Sequence, residues 1–186
     1  METFTPPRPM VPSPGFVRER EAALGELASA ISKGEIDAPL LPLIRAFAQV
    51  PACYTIQSCY GHFVHGGQPD IHNIRRLEAG RIPVNRMTYR IAYVTVCIEN
   101  SRAGHLLRQD LEAVARMDPD NIQFGSADWF WDQTVNTYSL QVSPSRFRTE
   151  DSCTLYIDEA LVVQEVRDQF FTELMRVVRR HLPSGW

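Results

Sequence analysis

The spacing of apolar residues switches along the chain between a helical and a strand period, and each switch marks an element. From Phe16 to Lys33, Val17, Leu24, Leu27 and Ile31 recur at helical spacing and Gly34 follows where a helix would stop, so a first helix is predicted there. Asp37 can cap a second helix, whose first turn tolerates Pro39 and Pro42 and whose buried face carries Leu40, Leu41, Leu43, Ile44 and Phe47. Val50 and Pro51 end it, and Cys53 to Gln57 reads as a short strand. Tyr89 to Ile98 is apolar on both alternating faces, the pattern of a strand covered on both sides. Ser101 can cap a further helix, with Leu106, Leu107, Leu111, Val114 and Met117 on one stripe; the Asp118 to Asn121 turn and Ile122-Gln123-Phe124 then complete a βαβ-like unit. Thr134 to Val142 alternates as another strand. Asp158 to His181 is the longest helical pattern, striped by Leu161, Val162, Glu165, Val166, Phe170, Leu174, Val177 and Val178, with Arg176, Arg179 and Arg180 near its negative end.

These elements predict an α/β or α+β fold: a single domain with a mixed β-sheet flanked by helices and a long C-terminal helix. Five prolines fall within residues 1–14, which are therefore expected to form a flexible extended tail outside the domain of residues 15–186. Gln68 to Arg86 has no clear period and reads as a functional or mobile loop, with one short helix around Ile71 to Glu78. A length of 186 residues suits one well-buried domain, and 44% apolar with 22% charged residues suits a soluble globular one. Without a long apolar run or a signal pattern, the expected location is cytoplasmic, with no membrane partner.

Chemistry concentrates where the third element ends. Cys59, His62 and His65 follow one another as C-x2-H-x2-H, with His72 seven positions on and Gly61, Gly66 and Gly67 between. Thiolate and imidazole bind borderline-soft metals, and near neutral pH they also move protons or attack carbon. A zinc site would draw on Cys59, His62, His65 and His72 and leave one position open for water. A nucleophilic Cys59 activated by the imidazoles is a second reading, and a glycine-rich turn with structural histidines a third. The four cysteines form no CxxC pair, and all are expected as free thiols.

Net charge is −3, which argues against non-specific wrapping of nucleic acid. Local charge points the other way, because Arg75, Arg76, Arg81, Arg86 and Arg90 follow the histidines and guanidinium forks suit phosphate or carboxylate. The run Asp128-Trp129-Phe130-Trp131-Asp132 adds aromatic faces able to stack a nucleobase and carboxylates able to accept from an amine or ribose hydroxyl. GxGxxG, GxxxxGK[ST] and HExxH are all missing from the sequence, so no Rossmann site, P-loop or zincin helix is written here.

The segment Leu40-Leu41-Pro42-Leu43-Ile44 followed by Ala52-Cys53-Tyr54-Thr55-Ile56-Gln57-Ser58-Cys59-Tyr60-Gly61-His62 resembles the tRNA wybutosine-synthesizing protein 3 family. There a helix leads to a strand ending in a Thr-x-Ser-Cys-x-Gly-basic loop; weaker similarity continues through the strands at Tyr89 to Ile98 and Val135 to Val142. The resemblance implies an α/β-type enzyme that uses S-adenosylmethionine to methylate a modified guanosine of tRNA without the usual glycine-rich motif. It implies an active loop of Ser58, Cys59 and Gly61 with His62 at the basic position, where the family has arginine; Gln57 stands where the family prefers serine. On this reading Ser58, Cys59 and His62 are the catalytic candidates, while Thr55, Gly61, His65, Arg75, Asp128, Trp129 and Trp131 contact the ligand, a tRNA or a nucleoside. A metal-binding protein or metal-dependent hydrolase, or a non-catalytic binding module on the same fold, are the other expectations.

Overall fold

The computed structural model describes residues 4–66, 71–75, 85–147 and 150–183. Helix α1 (Phe16–Lys33) has its predicted bounds, and Gly34 closes it in the left-handed conformation at φ 70°, its N–H returning to the carbonyls of Ala30 and Ile31. A single 3-10 turn at Ala38–Leu40 precedes α2 (Leu41–Gln49), whose Leu43, Ile44 and Phe47 are buried. Asp37 stands at the head of that turn but makes no side-chain cap; its carboxylate is used elsewhere. Helix α3 (Arg102–Ala115) is capped as predicted, the Ser101 hydroxyl accepting from the Gly104 N–H at 3.2 Å. A short helix α4 (Asp128–Gln133) and a long helix α5 (Ile157–Arg180) complete the set of five α-helices among the described residues.

The α+β class and the long C-terminal helix stand. In place of one mixed sheet, the described strands form two antiparallel sheets. The larger has the order β1 (Phe4–Thr5), β6 (Ile122–Ala127), β7 (Thr137–Val142), β5 (Ala92–Ile98) and β2 (Cys53–Cys59). The smaller has the order β3 (His62–Val64), β4 (Arg86–Arg90) and β8 (Ser152–Tyr156). Strands β5 and β6 do flank α3 in sequence, but β7 lies between them and is antiparallel to both, so the βαβ-like unit is split. The short helix expected around Ile71 to Glu78 lies partly outside the described residues, as do Gly67, Arg76 and Arg81. Within that region Ile71 bridges to Phe63 and Arg86 opens β4, and the single strand expected over Tyr89 to Ile98 is divided at Ile91 between β4 and β5, which lie in different sheets.

One face of the large sheet builds the core. Ala92, Val94, Val96 and Ile98 of β5 and Tyr138, Leu140 and Val142 of β7 are fully buried, joined by Phe47, Leu107, Leu111, Phe170 and Leu174 from the helices. Each valine, leucine, isoleucine or phenylalanine among them contributes roughly 1.5–3 kcal/mol relative to exposure. An antiparallel sheet with one packed face commonly leaves the other to water. Here the other face is polar but closed: Thr95, Ser139 and Gln141 are 0%, 4% and 6% exposed.

The N-terminal segment supplies part of that closure, and it corrects the expected flexible tail. Phe4 and Thr5 pair with Ala127 and Ser126 as strand β1. Beyond them the Arg8 N–H donates to Ser126 Oγ at 3.1 Å and the Tyr138 hydroxyl to the Arg8 carbonyl at 2.9 Å. Asn136 then clamps Val11 through both its N–H and its carbonyl, at 2.8 and 2.7 Å. Proline favours the extended backbone that such a strap requires, and the amides that bond belong to the residues between prolines. The prolines are thus compatible with docking, not only with a free tail.

Candidate functional site

Strand β2 continues two residues past its predicted end, pairing Gln57 with Thr95, Ser58 with Val94 and Cys59 with Tyr93 after a bulge between Thr55 and Gln57. The chain then turns through Tyr60 and Gly61 and enters β3 in the other sheet, where His62 pairs with Arg90. Gly61 has φ 85°, and a Cβ there would sit 2.9 Å from that of Ala92, so the turn requires glycine. The expected loop is therefore a crossover between sheets. Cys59 and His62, three residues apart, belong to different strands and to different surroundings.

Cys59 borders a cavity of about 420 Å³ on the polar face of the large sheet. Its lining includes Tyr93, Thr95, Ser139 and Gln141 on the sheet, Phe4 of β1, Phe130 of α4 and, from other segments, Arg90, Glu150 and Asp151. Thr95 Oγ1 and Ser139 Oγ hydrogen-bond to each other at 2.7 Å across the β5–β7 pair, and the Gln141 amide donates to Gln123 Oε1 at 2.9 Å. Phe4, Ile91, Ala127 and Phe130 set apolar surface against these polar groups, in a volume of the order usual for a small-molecule site.

His62 points to a second centre. Its Nε2 lies 3.3 Å from Asp37 Oδ2, and His72 Nε2 lies 3.8 Å from Asp37 Oδ1; the two imidazole centroids are 4.6 Å apart. One ligating atom from each of Asp37, His62 and His72 falls within 4.8 Å of the others, and these are the residues among those described that could jointly hold a metal ion. Asp37 Oδ2 also accepts from the Tyr60 N–H at 2.8 Å, and His72 Nδ1 lies 3.2 Å from the Gly61 carbonyl oxygen. Beneath them the fully buried Arg167 donates to the carbonyls of Gly61 and His72 at 3.3 and 2.6 Å, with its guanidinium 4.4 Å from the Tyr60 ring centroid.

The expected metal set of Cys59, His62, His65 and His72 is thus divided: His62 and His72 meet at Asp37, while Cys59 turns to the cavity and His65, just past β3, is in neither group. Ser58 and Thr55 border a separate groove along α1. Arg75 pairs with Glu165, and Arg86 lies over the Tyr156 ring at 4.4 Å; of the arginine series, Arg90 lines the cavity. The aromatic run is helical and follows directly on β6, which contains Gly125 and Ser126. Trp129 is 66% exposed, Trp131 meets Tyr138 edge-on beneath Arg8, and Asp128 pairs with Arg8; Phe130 is the member that reaches the cavity.

Burial pushes the thiols of Cys53, Cys97 and Cys153 up to about 12, 11 and 11. At about pH 8 such a thiol is roughly one part in a thousand thiolate or less, whereas Cys59 is only half-buried at the cavity. A chromogenic disulfide reagent should therefore label one thiol quickly in the folded protein and four after denaturation. A fast phase that survives Cys59→Ser would contradict this placement.

Asp37, Arg167 and Phe130 escaped the sequence reading. Asp37 matched a helix cap, and Phe130 looked like one of three equivalent rings. Arg167 carried a signal: it falls on the buried stripe Ala160, Val163, Gln164, Arg167, Phe170, Phe171, Leu174 of α5, where a charge is out of place.

No protein-family model matches the chain, and no curated protein matches it. Among solved structures, two of the PH1069 protein of Pyrococcus horikoshii are similar, at TM-scores of 0.51 and 0.52 with 18% and 16% identity. They cover 89% and 90% of this chain and 93% of the other. A hypothetical protein from Aeropyrum pernix matches 78% of this chain and 96% of its own at a TM-score of 0.41 and 10% identity. The Pyrococcus likeness extends to the fold. No helix among the described residues is long and apolar enough to cross a membrane.

Proposed function

We propose that the protein is an S-adenosylmethionine-dependent methyltransferase-like enzyme acting on a nucleoside within tRNA, with the methyl donor seated in the cavity beside Cys59. The observation that supports this most is the closed polar floor: Thr95 and Ser139 are buried on the sheet face opposite the main core, beside the small Phe16–Tyr54–Cys97 cluster, and there they line a cavity rather than a packed interface. The motif resemblance centred on Ser58, Cys59 and Gly61 supports it independently. S-adenosylmethionine supplies an electrophilic methyl group when bound.

What the chain contributes is position. Phe4 and Phe130 offer apolar faces for a purine, Glu150 and Asp151 offer acceptors for ribose hydroxyls or an ammonium group, and Arg90 offers a fork for carboxylate or phosphate. Methyl transfer needs alignment of donor carbon and acceptor nitrogen more than acid–base chemistry, and orientation alone supplies several kcal/mol of a barrier. Cys59 fits the cavity wall in this scheme. His62 lies across the Gly61 turn, at the position that the resemblance gives to a basic residue.

Calorimetric titration of the full chain with S-adenosylmethionine should show saturable binding, and Ser139→Leu, which fills the floor, should weaken it at least tenfold, about 1.4 kcal/mol. Absence of heat at millimolar ligand would sink the proposal.

A further inference from the structure

We infer that Asp37, His62 and His72 form a binding site for a zinc-class divalent cation, separate from the cavity and from Cys59. The inference begins with the His72 tautomer. A carbonyl oxygen cannot donate, so at 3.2 Å from the Gly61 carbonyl His72 Nδ1 carries the proton. In neutral His72 the other nitrogen, Nε2, is then a bare lone pair, and it faces the Asp37 carboxylate at 3.8 Å. A lone pair opposite a carboxylate oxygen repels it, and the separation exceeds that of a hydrogen bond. A cation between the two satisfies both.

The spacing fits. Ligands about 2.0 Å from a tetrahedral ion stand about 3.3 Å from one another. The observed separations are 3.3 Å from His62 Nε2 to Asp37 Oδ2 and 3.8 Å from His72 Nε2 to Asp37 Oδ1, and one ligating atom of each residue lies within 4.8 Å of the others, so closure around an ion completes the set. Two imidazoles and a carboxylate are a donor set for zinc or ferrous iron rather than for magnesium or calcium. The surroundings also match a metal centre: His72 donates through Nδ1 to a backbone carbonyl, Asp37 accepts from the Tyr60 N–H, and Arg167 fixes the carbonyls of Gly61 and His72 from below. The three side chains are between 21% and 32% exposed, which leaves room for a water or substrate atom in the remaining position.

Three segments converge to make the site: the turn before α2, the first residue of β3 and the segment that bridges to it through Ile71. Cys59 takes no part, because its sulfur lies on the cavity side of the Gly61 turn and accepts from the Gly61 N–H at 3.4 Å.

The test titrates Zn²⁺ and Co²⁺ into untagged, chelator-stripped full-length protein, by calorimetry and by the visible spectrum of bound cobalt. One equivalent should bind, with a spectrum lacking a thiolate-to-cobalt charge-transfer band. Asp37→Asn keeps an acceptor for Tyr60 but removes the charge, and His72→Gln removes a ligand; each should weaken zinc at least tenfold. Cys59→Ser and His65→Ala should leave it within twofold. No binding to the folded wild-type chain overturns the inference, as does a thiolate band or full affinity in the His62→Ala, His72→Gln double variant. Binding of S-adenosylmethionine by the stripped protein is measured separately, so the failure of one reading leaves the other standing.

Discussion

Substituting Arg167 with methionine is expected to destabilise the protein by about 3 kcal/mol, although methionine suits the apolar stripe on which Arg167 lies. Two effects compete. Burying a guanidinium is unfavourable, and replacing a buried ion pair by well-packed apolar groups is often neutral. Here, however, the acidic partner is half-exposed Asp168, which water can recover, whereas the other acceptors are backbone carbonyls of Gly61 and His72 that Arg167 reaches from within. The Gly61 carbonyl keeps the His72 Nδ1–H, but leaving the His72 carbonyl unsatisfied costs about 1–3 kcal/mol, and stacking on Tyr60 and Phe63 is lost as well. The apolar gain of methionine offsets only part of that. Urea unfolding should show the loss, and the melting temperature should fall by about 6–12 °C for a chain of this size. Arg167→Lys, with a charge but no fork, should lie between the two. Methionine stability within 1 kcal/mol of wild type would show that the carbonyls find other partners.

Gly125→Val should detach strand β1 from the sheet while leaving the rest folded. A Cβ at Gly125 would lie 2.3 Å from the Thr5 carbonyl oxygen and within 3 Å of the Phe4 ring, so side chain and strand cannot both stay. Valine suits β6 itself, which keeps its pairing to β7. The expected result is rapid hydrogen exchange at the amides of Phe4 and Thr5, retained protection at Val11, where Asn136 holds the chain, and weaker binding of S-adenosylmethionine as Phe4 leaves the cavity wall. Protected amides at β1 in the variant would refute the steric account. Overpacking of this kind amounts to about 1–3 kcal/mol, small enough for the core to survive.

Helices α1, α3 and α5 were legible because their apolar spacing and end signals agree, as at Gly34 and Ser101. Strand β7 was legible by alternation alone. The small sheet was not: β3 is a three-residue strand carrying a histidine, and Tyr89 and Arg90 of β4 run straight on into β5, so the pattern reads as one strand where two sheets meet. The proline segment misled for a different reason, since proline states that the backbone is extended and not whether it docks. In the site, Cys59 and His62 were visible as types, but local order could not tell that Gly61 sends them to different sheets. Asp37 is the clearest case of a residue whose chemistry is set by tertiary neighbours, twenty-three positions from Tyr60.

The docking of the N-terminal strap also orders events during synthesis. Residues 4–11 leave the ribosome long before Ser126 and Asn136, the groups that hold them, which lie 118 to 125 positions later. The large sheet can pair from Cys53 onward, and the strap closes a loop of 118 to 130 positions, a contact that is slow because its entropy must be given up before any bond repays it. The cavity wall at Phe4 thus cannot form before β6 and β7 have been made. Because Phe170 and Leu174 of α5 emerge later than Ser126 and Asn136, the strap's partners are in place before the core is complete.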